Sequence, residues 1–268
     1  MDVYFLLEKI REWTLPCDFD RMGECSRKEF KSSISIRLFP GDGNMKRMKW
    51  LVVFLVILTG SAWSESALIV ADEWPQMEIL KIFLQDEGHY DVSKAEQTKL
   101  PEKLADYIAV FMFVHGALDP DAAQRMIEYV QNGGRLVVMH HGISSQKRKV
   151  PEWMDMLGIF LPEKEQEPEN FYTWIHDRDY FLVNLNPNHY ITSNKVTWPA
   201  TVDYRSSDSP SRKMTYPAWE IKNSEVFLNH HFQDGREKVI LCGFMFQDPQ
   251  NGEIFMQDRG GWYKRFGR

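Results

Sequence analysis

The sequence predicts an α/β fold: a three-layer sandwich on a mainly parallel central sheet, with β-rich additions in the second half. Three observations predict it. Apolar runs of strand length alternate with amphipathic helical stretches between residues 67 and 139. Each run is apolar throughout, the mark of a strand covered on both faces. Beyond residue 170 the helical period fades, and β-type runs separated by turn residues replace it.

In chain order, Ala67-Leu68-Ile69-Val70-Ala71-Asp72 is the first strand. Pro75 opens a helix. Its apolar residues Met77, Leu80, Ile82, Phe83 and Leu84 are expected mainly on one face, and Gly88 ends it. Residues 90–92 open an edge strand. Residues 107–114 form a second apolar strand that exits at His115-Gly116. Asp119-Pro120 places a capping residue before a Pro at the first helical position. Ala122, Met126, Ile127 and Val130 carry that helix's core face, and Gly133-Gly134 stops it. Residues 135–139 are a third apolar strand, delivering His140-His141-Gly142. Residues 162–168 read as an acidic, Pro-flanked loop. Residues 171–183, 217–232 and 237–246 read as β segments, with Gln233-Asp234-Gly235-Arg236 as a hairpin turn.

The ends of the chain read differently. Met45-Lys46-Arg47-Met48-Lys49 is basic, residues 50–58 are apolar, and Ala62-Trp63-Ser64 offers small residues for a peptidase. Together they make residues 45–64 a cleavable export signal. A bilayer-spanning helix needs about 20 apolar residues, so no stable membrane anchor is expected. The working domain is then 65–268, and its expected location is periplasmic or secreted. Residues 1–44 lack sustained periodicity and are expected to be a start assigned too early or a disordered extension.

The chain has 268 residues and a net charge of −6. The export segment is basic, so the remaining domain is more acidic than the whole in that respect. Such a balance excludes nucleic acid, whose phosphates require a basic surface. Beyond residue 64 only Cys242 remains, inside an apolar run, where a buried thiol behaves as a small hydrophobe. An internal disulfide is excluded.

Ligands of parallel sheets collect beyond the carboxyl ends of the strands. Asp72, His115, His140 and His141 all fall there. The histidines can serve as acid and base near neutral pH, bind a metal, or simply line a polar crevice. Adjacent side chains on an extended backbone point oppositely, which argues against His140 and His141 gripping one ion unless the turn reorients them. No His-x-x-x-His or His-Glu-x-x-His spacing supports a divalent metal at these strand exits, and no cofactor is expected. The strand-to-helix elbow lacks a Ser or Cys nucleophile. Ser144, Ser145, Lys147, Arg148 and Lys149 are expected to be exposed. Trp74 and Trp153 are the tryptophans best placed to stack on a sugar ring.

Residues 129–142, Tyr-Val-Gln-Asn-Gly-Gly-Arg-Leu-Val-Val-Met-His-His-Gly, resemble the helix-Gly-Gly-strand-His signature of ThuA-like (trehalose-utilisation) domains. Asn188-His189-Tyr190-Ile191-Thr192 resembles that family's His-Pro-Ile-Thr segment, followed by Asp203 in Val202-Asp203-Tyr204. Residues 226–231 and 257–263 resemble its later part. The resemblance implies a class I glutamine amidotransferase-like, flavodoxin-like fold without the cysteine nucleophile. It also implies a place in the metabolism of trehalose, related disaccharides or keto-sugars. By position, His140 or His141 takes the family's strand-exit histidine, and His189 and Asp203 take its later polar positions. Together with the strand-exit reading this makes His140, His141, His115 and Asp203 the catalytic candidates, and Asp72, Trp74, Trp153 and His189 the substrate-binding ones. A small carbohydrate is the expected ligand. Tyr190 and Tyr204 depart from the family pattern. The family's last strand, ending in Gly-His, does not follow Arg268, so the reading expects a truncated C-terminus and an unpaired sheet edge. That favours, as the alternative, a non-catalytic carbohydrate-binding or scaffold domain.

Overall fold

A computed structural model describes residues 2–4, 64–206, 213–233 and 238–265. The export segment before Ser64, most of the preceding extension, turn residues 234–236 and residues 266–268 lie outside the described residues. The first half comprises β1 (Asp2–Tyr4), β2 (Ser66–Ala71), α1 (Pro75–Asp86), β3 (Asp91–Ala95), β4 (Ala109–Phe113), α2 (Pro120–Gln131) and β5 (Leu136–Val138). The second half comprises α3 (Pro151–Leu157), β6 (Ile159–Phe160), β7 (Thr173–Asn184), α4 (Tyr190–Ser193) and β8 (Ala200–Arg205). It continues through β9 (Lys213–Leu228), β10 (His231–Phe232), β11 (Lys238–Gln247) and β12 (Ile254–Arg265).

The main sheet runs β3-β2-β4-β5-β1-β12-β11-β7-β9-β8. Its first four strands pair in parallel, and those from β12 to β8 pair antiparallel. β6 and β10 form a separate ribbon. The edge expected to be unpaired belongs to the domain 65–268; in the full chain it is filled by β1, from the extension that cleavage at residue 65 would remove. β1 lies between β5 and β12, parallel to the first and antiparallel to the second, and hydrogen-bonds both edges.

Why the parallel strands are apolar throughout is visible in the core. Leu68, Val70, Val110, Met112, Leu136 and Val138 pack on one face with α2 and α3. Their alternates Ala67, Ile69, Ala71, Phe113, Val137 and Met139 pack on the other with α1. Period-two alternation therefore puts every residue under a helix.

Helix α2 starts as expected. The Asp119 carboxylate accepts from the Ala122 amide at 2.9 Å, a cap that contributes about 1 kcal/mol. Gly133 ends the helix at φ 110°, a conformation a Cβ would strain. Helix α1 corrects its expectation. Met77 and Leu84 are buried, but Ile82 and Phe83 are 55% and 48% exposed. The helix covers the sheet with a narrower stripe than its apolar content allows. Cys242 is half-buried, not fully buried.

Two bulges in the β7–β9 pair aim the strand that reaches the histidines. Between the pairs Tyr180↔Ile221 and Arg178↔Ser224, β9 has one extra residue; between Arg178↔Ser224 and Ile175↔Val226, β7 has one. Asn223 and Asp177 lie in these stretches with φ of 47° and 51°. The Asp179 carboxylate accepts from the Asn223 amide at 2.9 Å and fixes the β9 bulge. One extra residue flips all later side chains to the opposite face. Ile221 therefore shares a core with Val226 and Leu228, while Phe227 packs with the helices. Glu225 goes with Phe227.

Candidate functional site

The site is built on the exits of β2, β4 and β5. At the β2 exit the Asp72 carboxylate accepts from the backbone amides of His115 and Gly116, at 2.7 and 2.9 Å. From the other side the Lys147 ammonium donates to the carbonyls of Val114, His115 and Gly116, at 2.7, 3.2 and 2.6 Å. Its three donors meet three acceptors, so the loop bearing His115 is clamped by a carboxylate and an ammonium. Lys147 and Ser144 are buried, against the expectation of exposure. For Lys147 the physical reason is the carbonyls that a β-strand exit leaves unpaired, because they need a donor. Burial pushes the Lys147 ammonium down to about 8, opposed by the charge of Asp72.

The β5 exit turns sharply. His140 takes φ 48° and opens a 3-10 turn, residues His140–Ile143. A Cβ on Gly142 would come within 2.2 Å of Val138 Cγ1, so only glycine lets the turn fold back this closely. Trp153 is fully buried, and its indole donates to the Gly142 carbonyl at 2.9 Å. It is a core residue that pins the turn, not a sugar-stacking one.

This turn reverses the expected divergence of the two histidines. The imidazoles of His140 and His141 meet edge to face, 4.0 Å between centroids. Their Nε2 atoms stand 3.3 and 3.1 Å from the same oxygen, Oε2 of Glu225. All three side chains are 11–13% exposed. The His115 ring lies against His141, 3.7 Å between centroids and tilted by 30°, and holds its Nδ1 3.2 Å from Glu73 Oε1. His176 Nδ1 lies 3.6 Å from the second Glu225 oxygen. Its Nε2 accepts from the Trp174 indole at 3.0 Å, so the ring proton sits on Nδ1, facing the carboxylate. His115 and His176 are 46% and 65% exposed, and they form the rim.

Burial pushes the Glu225 carboxyl up, but hydrogen bonds and charge from His140 and His141 outweigh it and hold the group well below the usual carboxylate range. Burial lowers His141, as do the charges of His140 and His115, against an opposing hydrogen bond from Glu225. The resting state is an ionised Glu225 beside a neutral His141.

Four of the expected residues, Asp72, His115, His140 and His141, come together here, with Asp72 in a positioning role. Others do not. Asp203 lies on β8, bound to Lys213 and Thr215 at 2.9 and 2.8 Å. Thr215 precedes Glu225 by ten residues on β9, roughly 30 Å along a strand. His189 caps the short helix α4 through the Ile191 amide and contacts the Tyr263 hydroxyl at 3.2 Å. Trp74 sits before α1 under the Lys94 ammonium. Sequence reasoning missed Glu73, Trp174, His176 and Glu225. The available signals were Glu73's place right after a strand exit and Glu225 as a lone charge before Val226-Phe227-Leu228.

A second buried histidine makes stability pH-dependent. His230 is 1% exposed and stacks on Trp262 at 5.2 Å. Burial pushes its pKa down to about 3, helped by the charges of Arg259 and His231. The folded state therefore binds fewer protons than the unfolded chain between pH 6.5 and 3. Stability is full above pH 6.5 and falls as pH drops through this window, by roughly 4 kcal/mol in total. Urea midpoints measured from pH 7 to 3.5 are expected to show this fall. In His230→Phe the same titration should be flatter; an unchanged slope would assign the acid lability elsewhere.

A parallel sheet covered on both faces, with histidines and carboxylates gathered past its strand ends, defines an α/β protein with a candidate site at the strand exits. The chain belongs to the ThuA family, described as trehalose utilisation, whose model matches residues 62–257. A solved structure of a protein described as ThuA-like, from Bacteroides uniformis ATCC 8492, is similar at 16% identity and a TM-score of 0.45 over 71% of each chain. No curated protein matches the sequence.

Proposed function

We propose that the protein acts on a carbohydrate derivative, a trehalose-like disaccharide or its keto-sugar form, by proton transfer at His115. The observation that carries this reading is the His115–Glu73 pair at the rim of the His140–His141–Glu225 cluster. With Nδ1–H directed to Glu73, the basic nitrogen of His115 is Nε2, which a ligand can reach. In an oxidised sugar, Nε2 takes the proton from the carbon next to the carbonyl. The bonding pair moves into the enolate, whose oxygen needs donors or a positive charge nearby. Glu73 orients the ring, a role that Asp203, held on β8 by Lys213 and Thr215, does not take. Trp174 is 47% exposed beside His176 and offers a ring face to a sugar. Export to the periplasm or beyond is part of the proposal and is supported by the pattern of residues 45–64.

Protein recovered from the periplasmic or culture fraction should begin at residue 65. Incubated in deuterated water with oxidised and ordinary disaccharides, it should exchange the proton next to the sugar carbonyl. His115→Asn should slow that exchange by about 100-fold or more. Thermal stabilisation by a sugar without turnover would support the binding-domain alternative. Neither turnover nor stabilisation across the panel would sink the carbohydrate reading, and a cytoplasmic protein retaining residues 45–64 would sink export.

A further inference from the structure

We infer that His140, His141 and Glu225 form a site for a divalent first-row cation of the zinc class. One ligand atom from each residue lies within 4.8 Å of the others. Two imidazoles and a carboxylate are a donor set that suits zinc or iron more than calcium or magnesium.

The distances are compatible with a shared ion. Charge-assisted N–H···O⁻ bonds settle near 2.7–2.9 Å. Ligands sharing one tetrahedral ion at about 2.1 Å from it stand roughly 3.4 Å apart. The two nitrogens here lie 3.3 and 3.1 Å from Glu225 Oε2, nearer the second figure for His140 and between the two for His141.

Backbone geometry is the second, independent observation. His140 holds φ 48°, a left-handed conformation that costs a non-glycine residue about 1–2 kcal/mol. Relaxing it to an extended conformation would turn the two adjacent rings to opposite sides. The strained turn, with Gly142 seated against Val138, is what makes two neighbouring histidines converge on one carboxylate. Exposure of only 11–13% limits competing water. His176 Nδ1 faces the far Glu225 oxygen at 3.6 Å, and the His115 ring lies against His141 with a tilt of 30°. Three protein ligands leave a coordination position for water or a ligand oxygen, which a bound cation would polarise.

The site rests on geometry alone and does not depend on the carbohydrate reading, so the test reads metal, not turnover. Full-chain protein stripped with a chelator is titrated with Zn²⁺ and with Co²⁺, followed by elemental analysis after dialysis and by visible absorption. The expected result is one retained equivalent and the d–d spectrum of a tetrahedral nitrogen–oxygen cobalt site, without a thiolate charge-transfer band. Glu225→Gln and the double substitution His140→Gln/His141→Gln should each weaken Zn²⁺ binding by about 100-fold or more, while His231→Gln should not. No retained metal in the wild type, or retention unchanged in folded variants, overturns the inference. Where a variant fails to fold, the wild-type cobalt spectrum decides, and a thiolate band or an octahedral spectrum counts against the site.

Discussion

Glu225→Gln is expected to slow turnover of an oxidised disaccharide by about 1000-fold, some 4 kcal/mol of transition-state stabilisation. The fold should survive, with the melting temperature within about 5 °C of the wild type. The reason is the position of the group rather than its bulk. The carboxylate faces both imidazoles of the strand-exit turn through one oxygen and His176 through the other. A glutamine keeps the shape but turns one acceptor into a donor that confronts an N–H. Removing a charge that is nearly buried also removes its desolvation cost, which offsets part of the lost hydrogen bonding. Rates with the oxidised and ordinary disaccharide panel, beside calorimetric melting, give both readouts. A variant as active as the wild type would remove Glu225 from the chemistry.

The second large effect falls on stability. Lys147→Met should lower the unfolding free energy by about 3 kcal/mol, a melting-temperature drop of roughly 6–12 °C for a domain of this size. Methionine fills the space but leaves the carbonyls of Val114, His115 and Gly116 without their donor. The buried Val114 oxygen suffers most, since an unpaired buried acceptor bears its full desolvation cost. Loss of the clamp also loosens His115, which remains tied through Asp72 at its amide and through Glu73 and the His141 ring at its side chain. Turnover should therefore fall together with stability. Denaturant melts at pH 7 measure the effect, and a loss below about 1 kcal/mol would mean that water can replace the ammonium.

Much of this was legible in the chain itself. Apolar runs of strand length, Pro75, the Asp119-Pro120 cap and Gly133-Gly134 each act through near neighbours, and the structure realises them within a residue or two. The same patterns placed Asp72, His115, His140 and His141 at strand exits, because the exit of an apolar run is a local property. The composition of helix α1 misled, since a helical stretch shows which residues are apolar but not how much of them a sheet will cover. Lys147 misled for a related reason: in a polar loop nothing local announces three carbonyls waiting across the turn.

What the sequence by itself determined, then, is the α/β architecture, its family and the end of the sheet where the candidate site lies. The tertiary structure alone decided which side chains meet there. Glu225 lies more than eighty residues beyond the histidines, and a single extra residue in β9 sets the face it takes. The left-handed backbone at His140 likewise depends on packing against Val138, Trp153 and Phe227. Local patterns record periodicity, whereas bulge register and strained turns are fixed by contacts between distant segments, which no window along the chain contains.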